Sequence, residues 1–156
     1  YAVTDGTTTT PNLPVCSKTY ENYRTFLSKL GALTSLNFRL PTQEEWTYAA
    51  KGGKKSLSFT YSGSNTPGDV AWYDGNSNNT RHEVKLKQPN ELGIYDMSGN
   101  VWEWNSEYNS YWGRYYAFGG AYNSPTSEIK NDFYSTDFYT NSYYITVGIR
   151  LALTLK

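Results

Sequence analysis

Pro89-Asn-Glu-Leu-Gly-Ile-Tyr-Asp96-Met-Ser-Gly99-Asn-Val101-Trp-Glu103-Trp104 is the stretch from which the rest of this 156-residue chain is read. Gly99-Asn100 marks a turn, with Asp96 before it and Glu103 after it. Trp102 and Trp104 flank Glu103, and rings of that size belong in a core. Two carboxylates close to a turn allow two readings: they accept backbone N–H groups, or they ligate a hard cation together with main-chain oxygens.

Upstream, Arg39-Leu-Pro-Thr42-Gln-Glu-Glu45-Trp46 carries a capping box, Thr42 three residues ahead of Glu45. It predicts a short helix over 42–51, with Trp46, Ala49 and Ala50 facing inward and Gly52-Gly53 ending it. Tyr20, Tyr23, Leu27 and Leu30 recur at helical spacing, which predicts a second helix that Gly31 closes. Residues 1–13 are rich in Thr, Gly and Pro and read as a linker or N-terminal arm. Ser56 to Arg81 reads as a long loop pinned by Phe59, Tyr61, Trp72 and Tyr73, and His82 to Lys87 as a short strand.

Downstream, Tyr115–Tyr122 and Thr146–Lys156 read as core strands. In the second, Val147, Ile149, Leu151, Leu153 and Leu155 alternate with smaller or polar residues. The class is α+β: two short helices, a few short strands and much irregular chain, in a single domain over 14–156.

Composition narrows the functions. Fourteen basic residues balance 14 acidic ones. That balance gives no electrostatic footprint for nucleic acid. No apolar run approaches the roughly 20 residues of a membrane span. Cys16 is the single cysteine, which excludes an internal disulfide and speaks against a redox cofactor. His82 is the single histidine, and nothing near it looks like a nucleophile's partner. Tyr occurs 16 times and Trp five times, more than a core of this size requires. Amphipathic rings in that number suit a recognition surface.

Phe38-Arg-Leu-Pro-Thr-Gln-Glu-Glu-Trp46, the stretch 89–104, Gly119-Gly-Ala-Tyr122 and Gly148-Ile-Arg-Leu-Ala152 together resemble the formylglycine-generating enzyme, or sulfatase-modifying-factor, family. The resemblance implies a C-type-lectin-like fold. It also implies a structural Ca²⁺ held by the side chains of Asp96 and Glu103 and the carbonyls of Gly99 and Val101. The family's catalysis needs two cysteines, which by position would fall near Ile129 and near Asp132 to Tyr134; neither place has one.

The segment Asn105–Tyr144 is dominated by Tyr, Asn, Ser, Asp, Thr and Phe, most of which arise from an asparagine codon by changes at its two adenines. In that it resembles the variable proteins of diversity-generating retroelements, which share this fold. Glu107, Trp112, Glu128 and Lys130 are not such products and read as fixed or lysine-codon positions. The expected ligand-binding residues are Tyr108, Asn109 and Tyr111, then Asn123. Asn131, Asp132, Tyr134, Ser135, Asp137, Tyr139, Asn141 and Tyr143 complete them. The expectation is a non-catalytic receptor-binding or adhesion domain for a protein or glycan ligand on a target surface. Its expected place is extracellular, on a bacterial surface or a phage particle. A calcium-dependent carbohydrate-binding lectin and a degenerate sulfatase-modifying factor are the alternatives.

Overall fold

The structure is a computed structural model that describes residues 12–154. Nearly all of the expected arm, residues 1–11, and Leu155 lie outside the described residues.

Helix α1 (Tyr20–Thr34) begins at a capping box in which Thr19 and Asn22 exchange side-chain-to-backbone hydrogen bonds, each 3.1 Å. It does not stop at Gly31. A Cβ there would press on the Leu36 carbonyl, so glycine serves the close return of the chain, and Ser35, in the left-handed region, ends the helix. Helix α2 (Gln43–Ala50) carries the Thr42–Glu45 box, and Gly52 with φ of 85° turns the chain away. Between α2 and the Gly99 turn, regular helix amounts to a 3-10 turn (Gly53–Lys55) and the four-residue α3 (Pro67–Val70).

β1 (Asn37–Arg39) pairs antiparallel with β6 (Ala152–Thr154). The larger sheet runs in the order β4-β3-β2-β5, from β2 (Trp102–Asn109), β3 (Arg114–Phe118), β4 (Tyr134–Ser135) and β5 (Val147–Ile149). β5 lies parallel to β2 and the other neighbours are antiparallel. Side chains alternate across β2. Trp104 meets Tyr20 of α1 edge-on, whereas Glu103 points to Trp46 of α2. Two helices therefore cover opposite faces of one small sheet. Trp102 and Trp104 are buried in the α1-side core with Tyr23, Leu27 and Val147. Trp46, Met97 and Phe118 form the α2-side core.

Three strand expectations are corrected. The chain leaves β3 at Phe118, because Gly119 and Gly120 at φ of 91° and 72° turn it out of the sheet. The expected strand over 146–156 is split into β5 and β6, which belong to different sheets, as Arg150 between them is drawn to Glu103. Residues 82–87 form no strand. Lys85 is left-handed at φ of 67°, and the Val84 N–H bonds the Asn12 carbonyl.

Candidate functional site

Residues 131–145 alternate between the core and solvent. Phe133, Phe138 and Tyr144 turn inward. The Phe138 centroid lies 5.7 Å from Trp102, 5.9 Å from Trp104 and 4.9 Å from Tyr144. Asp132, Tyr134, Asp137, Tyr139, Asn141 and Tyr143 are exposed. Backbone bonds from Ser17 to the Tyr144 carbonyl and from Tyr20 to the Thr140 carbonyl tie this segment to the start of α1. β4 ties it to β3. Ser135 is half-buried, and its hydroxyl donates to Asp137 at 3.2 Å.

The β2–β3 hairpin adds a second group. The Asn109 carbonyl oxygen Oδ1 accepts from the backbone N–H of Tyr111 and of Trp112, and its Nδ2 donates to the Tyr116 hydroxyl at 2.8 Å. Asn109 is thus the residue that shapes the tip, while Tyr111 and Trp112 are 83% and 59% exposed on it. Tyr108 is exposed beside Tyr115. Arg114 lies under Tyr139, its Cζ 4.0 Å from the ring centroid.

Asn123 is exposed, in a turn whose neighbour Ser124 accepts the Asp74 N–H. Asn131 is a correction. It is buried, and its Nδ2 donates to the Phe59 carbonyl at 2.9 Å, so it pins the 56–65 loop and offers no atom to a ligand. Arg114 and Trp112 are surface features that composition did not single out as binding residues. Their place shows only once the hairpin is folded.

Around the Gly99 turn, Glu103 accepts from Trp46 Nε1 at 2.7 Å and from Arg150 Nε at 2.9 Å on one oxygen, and from Arg150 Nη2 at 2.7 Å on the other. Asp96 accepts from the Lys85 N–H at 2.8 Å. Burial pushes its carboxyl above the usual range, against the pull of that N–H and of Arg150. Asp96, Val101, Glu103 and Arg150 border a cavity of about 250 Å³. Lys85 lines the same cavity, so the two carboxylates are balanced by one ammonium and one guanidinium. A hard cation there would take Asp96 and Glu103 as anionic ligands with carbonyls from Gly99 and Val101, in competition with the Lys85 N–H and Arg150. Among the described residues no cluster of three His, Cys, Asp or Glu side chains could hold a metal, so such a site depends on main-chain oxygen.

At the positions of the family's cysteines, Ile129 is fully buried against Tyr61, Val70 and Ala71. Cys16 is buried elsewhere, beside Arg81, and burial pushes its thiol up to about 11. A thiol held neutral is a poor nucleophile.

A small sheet between two helices, little regular structure and a surface of exposed tyrosines define an α+β domain of the formylglycine-generating-enzyme type. The chain belongs to the family described as the sulfatase-modifying factor enzyme 1-like domain, matched over residues 3–155. It is 50% identical over 91 residues to the chaperone protein LppX of Paenibacillus barcinonensis, covering 47% of this chain and 32% of that protein. It is 32% identical over 114 residues to the formylglycine-generating enzyme of Streptomyces coelicolor, covering 64% and 34%. The chain thus spans about a third of the length of these curated relatives. Among solved structures, Treponema denticola variable protein 1 superposes with a TM-score of 0.82 at 23% identity, over 95% of this chain and 73% of that one. CarF gives 0.83 at 27%, over 97% and 71%. The C-type-lectin-like fold is shared with both. No helix of the described residues is long and apolar enough to cross a membrane.

Proposed function

We propose that this chain is a non-catalytic binding domain, a variable protein of the retroelement-diversified kind, whose ligand surface is built from residues 105–145. One observation carries the reading: Phe133, Phe138 and Tyr144 anchor inward while Asp132, Tyr134, Asp137, Tyr139, Asn141 and Tyr143 between them project outward. The outward positions can change without disturbing the packing beneath them. Tyrosine brings large contact area with few rotors to freeze, and asparagine and aspartate add adaptable hydrogen bonds. A scaffold already ordered lowers the entropy cost of binding. The fold common to the Treponema variable protein is consistent with this use. The missing cysteine pair and the neutral, buried Cys16 support the absence of the family's thiol chemistry. A Ca²⁺ at Asp96 and Glu103 serves structure in this reading, and the setting is extracellular, on a bacterial surface or a phage particle.

The test replaces Tyr134, Tyr139 and Asn141 together by Ala. Surface extracts from candidate target cells are passed over immobilised wild-type and variant domains, and retained species are quantified by mass spectrometry. Species held by the wild type and lost with an equally stable variant are expected. Identical retention would place the surface elsewhere. Incubation with a cysteine-containing sulfatase peptide and copper should leave the peptide mass unchanged, and aldehyde formation would overturn the non-catalytic reading.

A further inference from the structure

Most arginines here have settled partners. Arg24 pairs with Glu21, Arg39 with Glu45 and Arg150 with Glu103. Arg81 donates to the Pro14 carbonyl and meets the Cys16 thiol. Arg114 differs. It makes one hydrogen bond, from Nη1 to the Thr136 carbonyl at 3.2 Å. Among the described residues it has no ion pair, and its Nε–H is buried without a partner. The acid of the neighbouring turn, Asp137, is hydrogen-bonded to Ser135 instead.

The guanidinium is nevertheless fixed. Its Cζ sits over the Tyr139 ring, Nη1 holds the Thr136 carbonyl, and its strand position opposite Asn109 sets it at the root of the exposed hairpin. A planar fork held in one orientation has already lost the freedom that binding would otherwise remove, and its shape matches a carboxylate.

We infer that Arg114 is the charged anchor of the binding surface, taking a carboxylate from a protein partner. This rests on the binding reading given above. A protein acid is favoured over a sugar acid by the rings around it. Tyr111 stands at 86° to Trp112 and Tyr134 at 83° to Tyr116, and one face of Tyr139 is covered by Arg114 itself. Sugar rings stack on open, coplanar aromatic faces. Rings at mixed angles suit protein side chains.

The experiment uses the whole domain and an acetylated, amidated Gly-Glu-Tyr-Glu-Gly peptide, read by the NMR signal of the Arg114 Nε–H. The signal is assigned by its loss in Arg114→Lys. Separate arms use the glutamine counterpart of the peptide, glucuronate and inorganic phosphate. A saturable shift with the glutamate peptide, with a Kd of about 1 mM, and none with the glutamine peptide is expected. A binding loss of about tenfold or more is expected in Arg114→Gln and in Arg114→Lys, read from the peptide's own resonances. Equal shifts with both peptides, no saturation, or tighter binding of glucuronate or phosphate would overturn the assignment. Should Arg114→Gln fail to fold, Tyr139→Ala keeps the charge but frees the guanidinium, and it must weaken the glutamate peptide at least several-fold. If peptides fail here while the triple variant still loses its retained species, this inference falls and the binding reading stands. If the triple variant loses nothing, the binding reading falls whatever the peptides do.

Discussion

Arg150 closes on both oxygens of the Glu103 carboxylate, at 2.7 Å and 2.9 Å, where β2 and the end of β5 lie side by side. The carboxylate also holds the Trp46 indole, so one buried acid joins α2, the central strand and the junction of β5 and β6. A guanidinium Nη2 bond to the Tyr95 carbonyl adds the Gly99 turn to the same knot. Replacing one partner leaves the other charged and buried. Arg150→Met should therefore cost about 3–5 kcal/mol, read as a drop in the urea midpoint with an unchanged slope. A change within the error of the wild type would mean that the pair is solvent-screened and the knot is not a fixed one.

The cavity beside this pair yields a second expectation. Its wall carries Asp96 and Glu103 together with Lys85 and Arg150, and the carboxylates are the anionic ligands a cation would use. Calcium at about a hundred times its Kd would add roughly 2.7 kcal/mol. That corresponds to a rise in Tm of several degrees for a chain of this size, reversed by a chelator. Asp96→Asn should abolish most of the rise. A melting curve indifferent to calcium and chelator in the wild type would leave the turn to its hydrogen bonds.

Local chemistry was readable in the amino acids; distant chemistry was not. The Thr42–Glu45 box announced α2 because both partners sit within one turn of helix. Trp102 and Trp104 announced the core by size alone. Asn131 carried no such signal, since its partner Phe59 is 72 residues away and its type suggested a surface. The split of the final strand was hidden in the same way: Val147 to Leu155 alternates evenly, and only the pull of Glu103 on Arg150 separates β5 from β6. β2 extends to Asn109, into a stretch whose Tyr, Asn and Ser content reads as loop. Of the candidate surface, exposure at Tyr134, Tyr139 and Tyr143 agreed with composition, whereas the place of Arg114 depended on Tyr139 folding over it.

Glu45 gives a pH dependence with a defined sign. The Arg39 side chain, then the Thr42 N–H, hold its carboxyl at about 2 against an ordinary 4.5. A depressed folded value means the contribution is complete above pH 4.5 and is lost as pH falls towards 2. The Glu45 side chain is 44% exposed, so solvent screening holds the effect below about 1 kcal/mol. Glu45→Gln should flatten the acid limb of a stability-versus-pH curve by that amount. An acid limb identical in both proteins would assign acid loss to other carboxylates.

The alternation along 131–145 makes neighbouring aromatic residues behave oppositely. Phe138 lies among Trp102, Trp104 and Tyr144, half-buried, and its removal leaves a gap beneath the loop. Phe138→Ala should cost about 2–3 kcal/mol, short of the roughly 3–5 kcal/mol of a fully buried phenylalanine. Tyr139 is 54% exposed, and its ring contact is with Arg114. Tyr139→Ala should cost only about 0.5 kcal/mol, the worth of an exposed cation–π contact, and Tyr143→Ala, at 69% exposure, no more. Binding should respond in the reverse order, because the outward ring touches the ligand and the inward one only holds the loop. Chemical denaturation of the three variants measures the first half, and retention of the same target species measures the second. Equal stability losses at 138 and 139 would mean that the loop has no inward and outward face, and the binding surface would lose its foundation.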